Sequence, residues 1–170
     1  MTTYYTYWES PLNPLLLASN GAALVGLYLN TPRHALDVDG NWTREDEALP
    51  FGEAKQQMRA YFAGERREFT LPLAPNGTEW QRRVWDALRQ IPYGSTETYS
   101  GIARRIGSPH ACRAIGHANG RNPLSIIVPC HRVVSASGKM VGYSGAIWRK
   151  EALLSLEKAA LTTPSARGRG

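Results

Sequence analysis

Asn122-Pro123-Leu124-Ser125-Ile126-Ile127-Val128-Pro129-Cys130-His131-Arg132-Val133-Val134 is the stretch on which the reading of this chain turns. Ile126 to Val128 is an apolar run that reads as a buried strand or a core-lining loop. Pro129 fixes its own φ and favours an extended Val128. Cys130 therefore arrives at a rigid point, beside an imidazole and a guanidinium. A thiol attacks as its thiolate, and an ordinary cysteine pKa of about 8.5 must fall for that to happen at neutral pH. A neighbouring histidine or cation does this, which makes Cys130 a candidate nucleophile and His131 its partner. An inert buried cysteine is the competing reading, and residue types alone leave the two level. On an extended segment adjacent side chains point to opposite sides, so direct contact between Cys130 and His131 is not expected.

Upstream of this stretch the pattern is helical. Thr78 and Gln81 have capping-box spacing, and Trp80, Val84, Leu88 and Ile91 form a core-facing stripe, with Trp80 and Trp85 read as packing. Thr98 caps a helix predicted from Tyr99 to Ile106, with Ile102 and Ile106 inward and Gly107 as the stop. Ser108-Pro109 reads as the start of a second helix, His110 to Asn119, ending at Gly120. Helix, short turn, helix is a helix-turn-helix outline. The second helix lacks bulky side chains: Arg113, Gly116 and Gly120 share one side, and Ala114 and Ala118 flank it. A minor groove of about 6 Å accepts only a slim helix, but tight helix–helix packing selects the same residues.

Several dispersed features match one family in order: Tyr99, Arg113, Asn122, Pro129-Cys130-His131-Arg132, Gly142-Tyr143 and Glu157. The chain resembles the O6-alkylguanine-DNA alkyltransferase family from about Gly77 to Glu157, and more loosely before that. The resemblance implies an α/β N-terminal domain, a small antiparallel sheet plus helix of ribonuclease-H-like type. It implies a mainly α, winged helix-turn-helix C-terminal domain after it. It implies repair of double-stranded DNA: O6-alkylguanine is flipped out through the minor groove, and its alkyl group passes irreversibly to Cys130 in one stoichiometric turnover. By the same resemblance His131 takes the thiol proton through a water, and Glu157 orients and charges His131. Tyr99 protonates the leaving guanine, and Asn122 holds the loop before the cysteine. Arg113 fills the gap left in the stack, with Ala114, Gly116 and Ala118 against DNA. Val133, Tyr143, Ser144 and Gly145 line the alkyl and base pocket. No cofactor and no metal are expected. A non-transferring lesion sensor and a cysteine hydrolase are the rival classes.

Residues 1–74 read as the α/β domain, 75–161 as the DNA-binding and catalytic domain, and 162–170 as a flexible basic tail. In the first domain Tyr4 to Trp8 is strand-like, and Leu15 to Ala18 and Ala22 to Leu29 read as a hairpin about Asn20-Gly21, both at positive φ. Thr31 to Leu49 reads as loop, Phe51 to Ala63 as a helix stopped by Gly64, and Phe69 to Leu73 as a further strand. His34, Asp37 and Asp39 are close enough to suggest a metal site, but a solvated loop is the better reading. The last helix is predicted from Ile147 to Leu161, burying Leu153, Leu154 and Leu156. The 170 residues carry a net charge of +6, with a pI of about 9.6, a balance that favours an anionic partner. Two cysteines, Cys112 and Cys130, are too few for a disulfide scaffold. With no signal peptide and no long apolar run, the expectation is a cytoplasmic or nucleoid-associated protein with no membrane contact, monomeric in solution, with clustering on DNA left open.

Overall fold

The computed structural model describes residues 2–29, 41–137 and 146–162. They fall into two compact units that divide between Asn76 and Gly77.

The first unit is a four-stranded sheet in the order β3-β2-β1-β4, with one helix. β1 (Thr3–Ser10) and β2 (Asn13–Ser19) form a hairpin whose register pairs Ser10 with Asn13 and Tyr4 with Ser19. Asn13 takes a positive φ of 76° to close it. β3 (Leu24–Tyr28) adds antiparallel to β2. The β2–β3 connection departs from the expected tight turn, because only Gly21 has positive φ. The loop is longer, and the Asn20 side chain closes it by accepting from Ala22 N and Ala23 N at 3.0 and 2.9 Å. β4 (Trp42–Arg44) lies inside the segment read as loop and pairs parallel to β1, so the sheet is mixed rather than purely antiparallel. Parallel pairing needs a crossover connection, which alternation in so short a strand does not announce.

Trp8, Leu15 and Leu17 share the face that carries α1 (Phe51–Phe62). Phe51, Ala54, Met58 and Tyr61 of that helix are buried against it, and Gly64 follows the helix at positive φ. The segment Phe69 to Leu73 forms no strand, only a single parallel bridge between Leu24 and Leu73. Pro72 has no N–H to give a ladder, and its carbonyl accepts from Leu24 N. His34, Asp37 and Asp39 lie outside the described residues, as does the tail beyond Thr162.

The second unit is helical. Thr78 caps α2 (Glu79–Leu88) with both bonds of the capping box formed, at 3.1 and 2.9 Å. Val84, Leu88 and Ile91 are buried, as is Trp85, while Trp80 is half-buried. Thr98 caps α3 (Tyr99–Arg105), and Gly107 ends it at positive φ; Ile102 is buried but Ile106 only half so. α4 (Cys112–Gly120) begins two residues later than expected. Ser108-Pro109 is used instead in the preceding turn, where Ser108 O accepts from Ala111 N at 3.0 Å. α2 holds α4 through its tryptophans: Trp85 Nε1 donates to Ala118 O at 2.9 Å, and Trp80 Nε1 to Ala114 O at 3.4 Å. A two-stranded parallel ladder, β5 (Glu97–Thr98) with β6 (Val133–Val134), ties the start of α3 to the segment after Cys130. α5 (Ile147–Thr162) closes the unit. It buries Leu153, but Leu154 and Leu156 only partly; the rest of its buried face is charged, with Arg149, Lys150 and Glu157.

Candidate active site

The loop from Asn122 to Arg132 is core-lining rather than a strand. Ile127 N donates to Ser125 O at 2.9 Å about Ile126, whose φ is 74°. This is the rare, strained sense of γ-turn, here on a β-branched residue that is 1% exposed. Such a conformation costs of order 1–3 kcal/mol and persists only when its surroundings over-determine it. Asn122 supplies part of that: its Oδ1 accepts from Leu124 N at 2.9 Å and its Nδ2 donates to Val128 O at 2.8 Å. A second γ-turn follows on Pro129, with φ −80° and ψ 65°, and Cys130 N donating to Val128 O at 2.7 Å. Cys130, His131 and Arg132 then form one turn of 3₁₀ helix, not the extended segment expected from the sequence. Side chains on such a turn do not alternate, so Cys130 and His131 are not held to opposite sides as on an extended segment.

Glu157 binds this turn from α5. His131 Nε2 lies 2.7 Å from Glu157 Oε2. Arg132 Nε donates to Glu157 Oε1 at 2.8 Å, and its terminal nitrogen to Oε2 at 3.0 Å. Its other terminal nitrogen donates to Ile91 O at 2.8 Å, and its guanidinium lies 5.5 Å from the Tyr93 ring centre. Gly94 N, at a φ of 79°, adds a longer bond to Glu157 Oε1 at 3.3 Å. Burial pushes the Glu157 carboxyl up, but the bonds from His131 and Arg132 outweigh it and hold the carboxyl at about 2. Burial drives His131 down from its usual range, Glu157 opposes this, and the charges of Arg132 and Lys150 add to it. Burial thus wins, and His131 rests neutral rather than charged by Glu157 as the resemblance implies; a carboxylate only accepts, so the neutral imidazole carries its proton on Nε2. Nδ1 is left bare, buried and without a hydrogen-bond partner among the described residues.

Other residues converge on Cys130, which is 3% exposed. Lys150, wholly buried, donates to Val133 O at 2.6 Å. The carbonyl of Val133, a residue that the resemblance places in the pocket lining, thus already holds one donor. Burial lowers Lys150, and negative charge at Cys130 partly restores it. Tyr99, half-buried, is raised by burial and then by the same charge at Cys130. Val133 is itself buried. Of the residues read as facing DNA, Arg113 and Ala114 are exposed on α4 and Gly116 is half-exposed. Ala118, read as facing DNA, is 1% exposed and buried in the unit, although it lies only about 40° round the helix from exposed Ala114; at its turn of α4 the buried Trp85 is packed close enough to donate to Ala118 O. A Cβ at Gly120 would meet nothing within 4 Å, and at Gly116 only the Tyr99 ring at 3.7 Å. Packing within the unit therefore does not demand these glycines. Tyr143, Ser144 and Gly145 lie outside the described residues.

Arg132 and Lys150 escaped the sequence reading as site residues. The available signal was on the last helix: Lys150, Leu153 and Glu157 share one face, so two charges sit on the buried stripe. Among the described residues no cluster of three His, Cys, Asp or Glu could hold a metal ion, and no helix is long and apolar enough to cross a membrane.

A helix-turn-helix unit with a thiol beside a buried imidazole–carboxylate pair sets the class. Residues 79–159 match the family model described as 6-O-methylguanine DNA methyltransferase, DNA binding domain. Residues 3–75 match its ribonuclease-like domain. The chain is 49% identical over 154 residues to the methylated-DNA–protein-cysteine methyltransferase of Methanosarcina acetivorans, covering 91% of this chain and 97% of that one. It is similar to the crystal structure of Mycobacterium tuberculosis O6-methylguanine methyltransferase, with a TM-score of 0.84, 48% identity and 94% of each chain covered. A crystal structure of Mycobacterium tuberculosis OGT in complex with DNA matches with a TM-score of 0.83 and 49% identity, over 92% of this chain and 94% of that one. The chain belongs to the 6-O-methylguanine DNA methyltransferase family.

The Glu157 network makes a prediction for acid stability. With the folded carboxyl at about 2 against an ordinary 4.5, the unfolded chain binds more protons between those values, so the stabilisation is complete above 4.5 and is lost as pH falls toward 2. Glu157→Gln leaves Arg132 buried without its counter-charge and costs about 3–5 kcal/mol at pH 7. In urea unfolding, the gap between wild type and variant is expected to close across that acid window.

Proposed function

We propose that this protein repairs DNA by moving the alkyl group of O6-alkylguanine onto Cys130, once per molecule. The observation that carries the reading is the Cys130–Arg132 turn, with His131 fixed by Glu157 so that its bare Nδ1 is the base.

The chemistry follows from the residues. Cys130 gives its thiol proton toward His131 Nδ1, through a bridging water in the family-type geometry. The thiolate attacks the alkyl carbon, the carbon–O6 bond breaks, and its electron pair goes to the guanine. Tyr99 donates a proton to a ring nitrogen as the base departs. The charge at Cys130 that raises the Tyr99 hydroxyl disappears as the carbon–sulfur bond forms. Tyr99 thus becomes a better acid at the moment the guanine needs the proton. Lys150 holds positive charge near the sulfur while the thiolate exists. A thioether has no route back through these groups, which supports a single turnover.

The O6 position lies inside the duplex, so the nucleotide must leave the stack before the sulfur can reach it. Exposed Arg113, with Ala114 and the open positions at Gly116 and Gly120, supports α4 as the helix that enters the minor groove. Arg113 then takes the place of the extruded base. The DNA complex of a similar chain supports double-stranded DNA as the partner. The protein acts as a monomer wherever the cell keeps its DNA.

Incubation with a duplex carrying O6-methylguanine is expected to add one methyl mass to the peptide holding Cys130, and none in Cys130→Ala, which still binds the lesion. Transfer retained in Cys130→Ala rejects the assignment. Arg113→Ala is expected to slow repair of duplex DNA at least tenfold while leaving reaction with a free O6-alkylguanine base near wild type. Equal losses on both substrates remove Arg113 from the flipping step.

A further inference from the structure

Asn119 is a buried amide without an evident structural reason. It is 5% exposed, on the inward side of α4. Its Nδ2 faces Cys130 O at 3.5 Å, while its Oδ1 is buried and has no hydrogen-bond partner among the described residues. A carbonyl only accepts, so the atom turned to Cys130 O is the nitrogen and the unmade bond belongs to the oxygen. An apolar side chain of similar size would avoid leaving an acceptor unmade in the interior. A buried orphan of this kind points to a partner that arrives later.

Its surroundings indicate which partner. Gly116 and Asn119 are three residues apart and share a side of α4. The Tyr99 ring lies against Gly116, and Cys130 lies against Asn119. The same edge of the helix thus borders the proton donor and the nucleophile. Alkylation at O6 removes the N1 hydrogen of guanine, so N1 and N3 only accept. The exocyclic 2-amino group, next to N3, becomes the sole hydrogen-bond donor on the ring. N1 and N3 both flank the carbon that bears this amine, so a base that takes its proton from Tyr99 at either one holds the amine on the edge of α4 that Tyr99 shares with Asn119.

We propose that Asn119 is a specificity residue whose Oδ1 accepts a hydrogen bond from the 2-amino group of the extruded guanine beside Cys130. Nδ2 keeps its long contact with Cys130 O, and the amide torsion is soft enough for a small adjustment that brings Oδ1 to the amine without moving the helix. The inference rests on the alkyl-transfer function and names how that site recognises its base.

The test uses the full chain and single-stranded oligonucleotides, so that opening a base pair plays no part. One oligonucleotide carries O6-methylguanine, and the other carries O6-methylhypoxanthine, which lacks the 2-amino group. Methyl transfer to Cys130 is followed by mass. Wild type is expected to react about tenfold faster with the guanine lesion, and Asn119→Leu is expected to bring the ratio to about one by losing rate on guanine alone. Equal rates in wild type overturn the inference without any variant, and so does an Asn119→Leu ratio that stays at the wild-type value. Transfer from neither oligonucleotide in wild type is a distinct result: it rejects the alkyl-transfer function itself, and the inference with it.

Discussion

A single carboxylate, Glu157, determines whether the rest of the site can exist. It is fully buried and accepts from His131, twice from Arg132, and from Gly94 N. Isolated in the interior, such a charge would be neutralised or excluded; bonded on all sides it is stable and strongly acidic. Its bonds fix the 3₁₀ turn against α5, set the imidazole tautomer and tie Ile91 to the turn through Arg132. The strained loop upstream can then be held from both ends, by Asn122 before Cys130 and by Glu157 after it.

The arrangement also explains why so closed a nucleophile is useful. Cys130 is almost wholly buried, so an alkyl group reaches its sulfur only along a defined approach. The groups that sense its charge, Tyr99 and Lys150, sit on two different helices, α3 and α5. Loss of that charge on alkylation is therefore felt on both sides of the site at once, which couples bond formation at sulfur to proton transfer at the base.

Local signals in the sequence were legible wherever the physics is local. The Thr78–Gln81 capping box and the Thr98 cap are each written within four residues, and both form. The slim face of α4 could be seen as well, though not that Ala118 turns inward, because that depends on where Trp85 lies. What the sequence hid are bonds across long separations. Nothing beside Arg132 announces that it reaches Glu157 and Ile91, or beside Lys150 that it reaches Val133 O. β4 was hidden because a three-residue strand paired parallel has neither length nor alternation to show. The start of α4 was misplaced because Ser108-Pro109 suits a turn as well as a cap.

The central claim is that burial keeps His131 neutral while Glu157 holds its one proton on Nε2 and leaves Nδ1 bare. The most direct measurement is nitrogen NMR of the protein labelled with ¹⁵N in its histidine rings, with His131 assigned by comparison with His131→Gln. At pH 7 the account predicts one protonated, hydrogen-bonded Nε2 and one unprotonated Nδ1, with that state persisting on mild acidification because burial holds His131 below its usual range. An imidazolium at pH 7, or a proton found on Nδ1 instead, would contradict it.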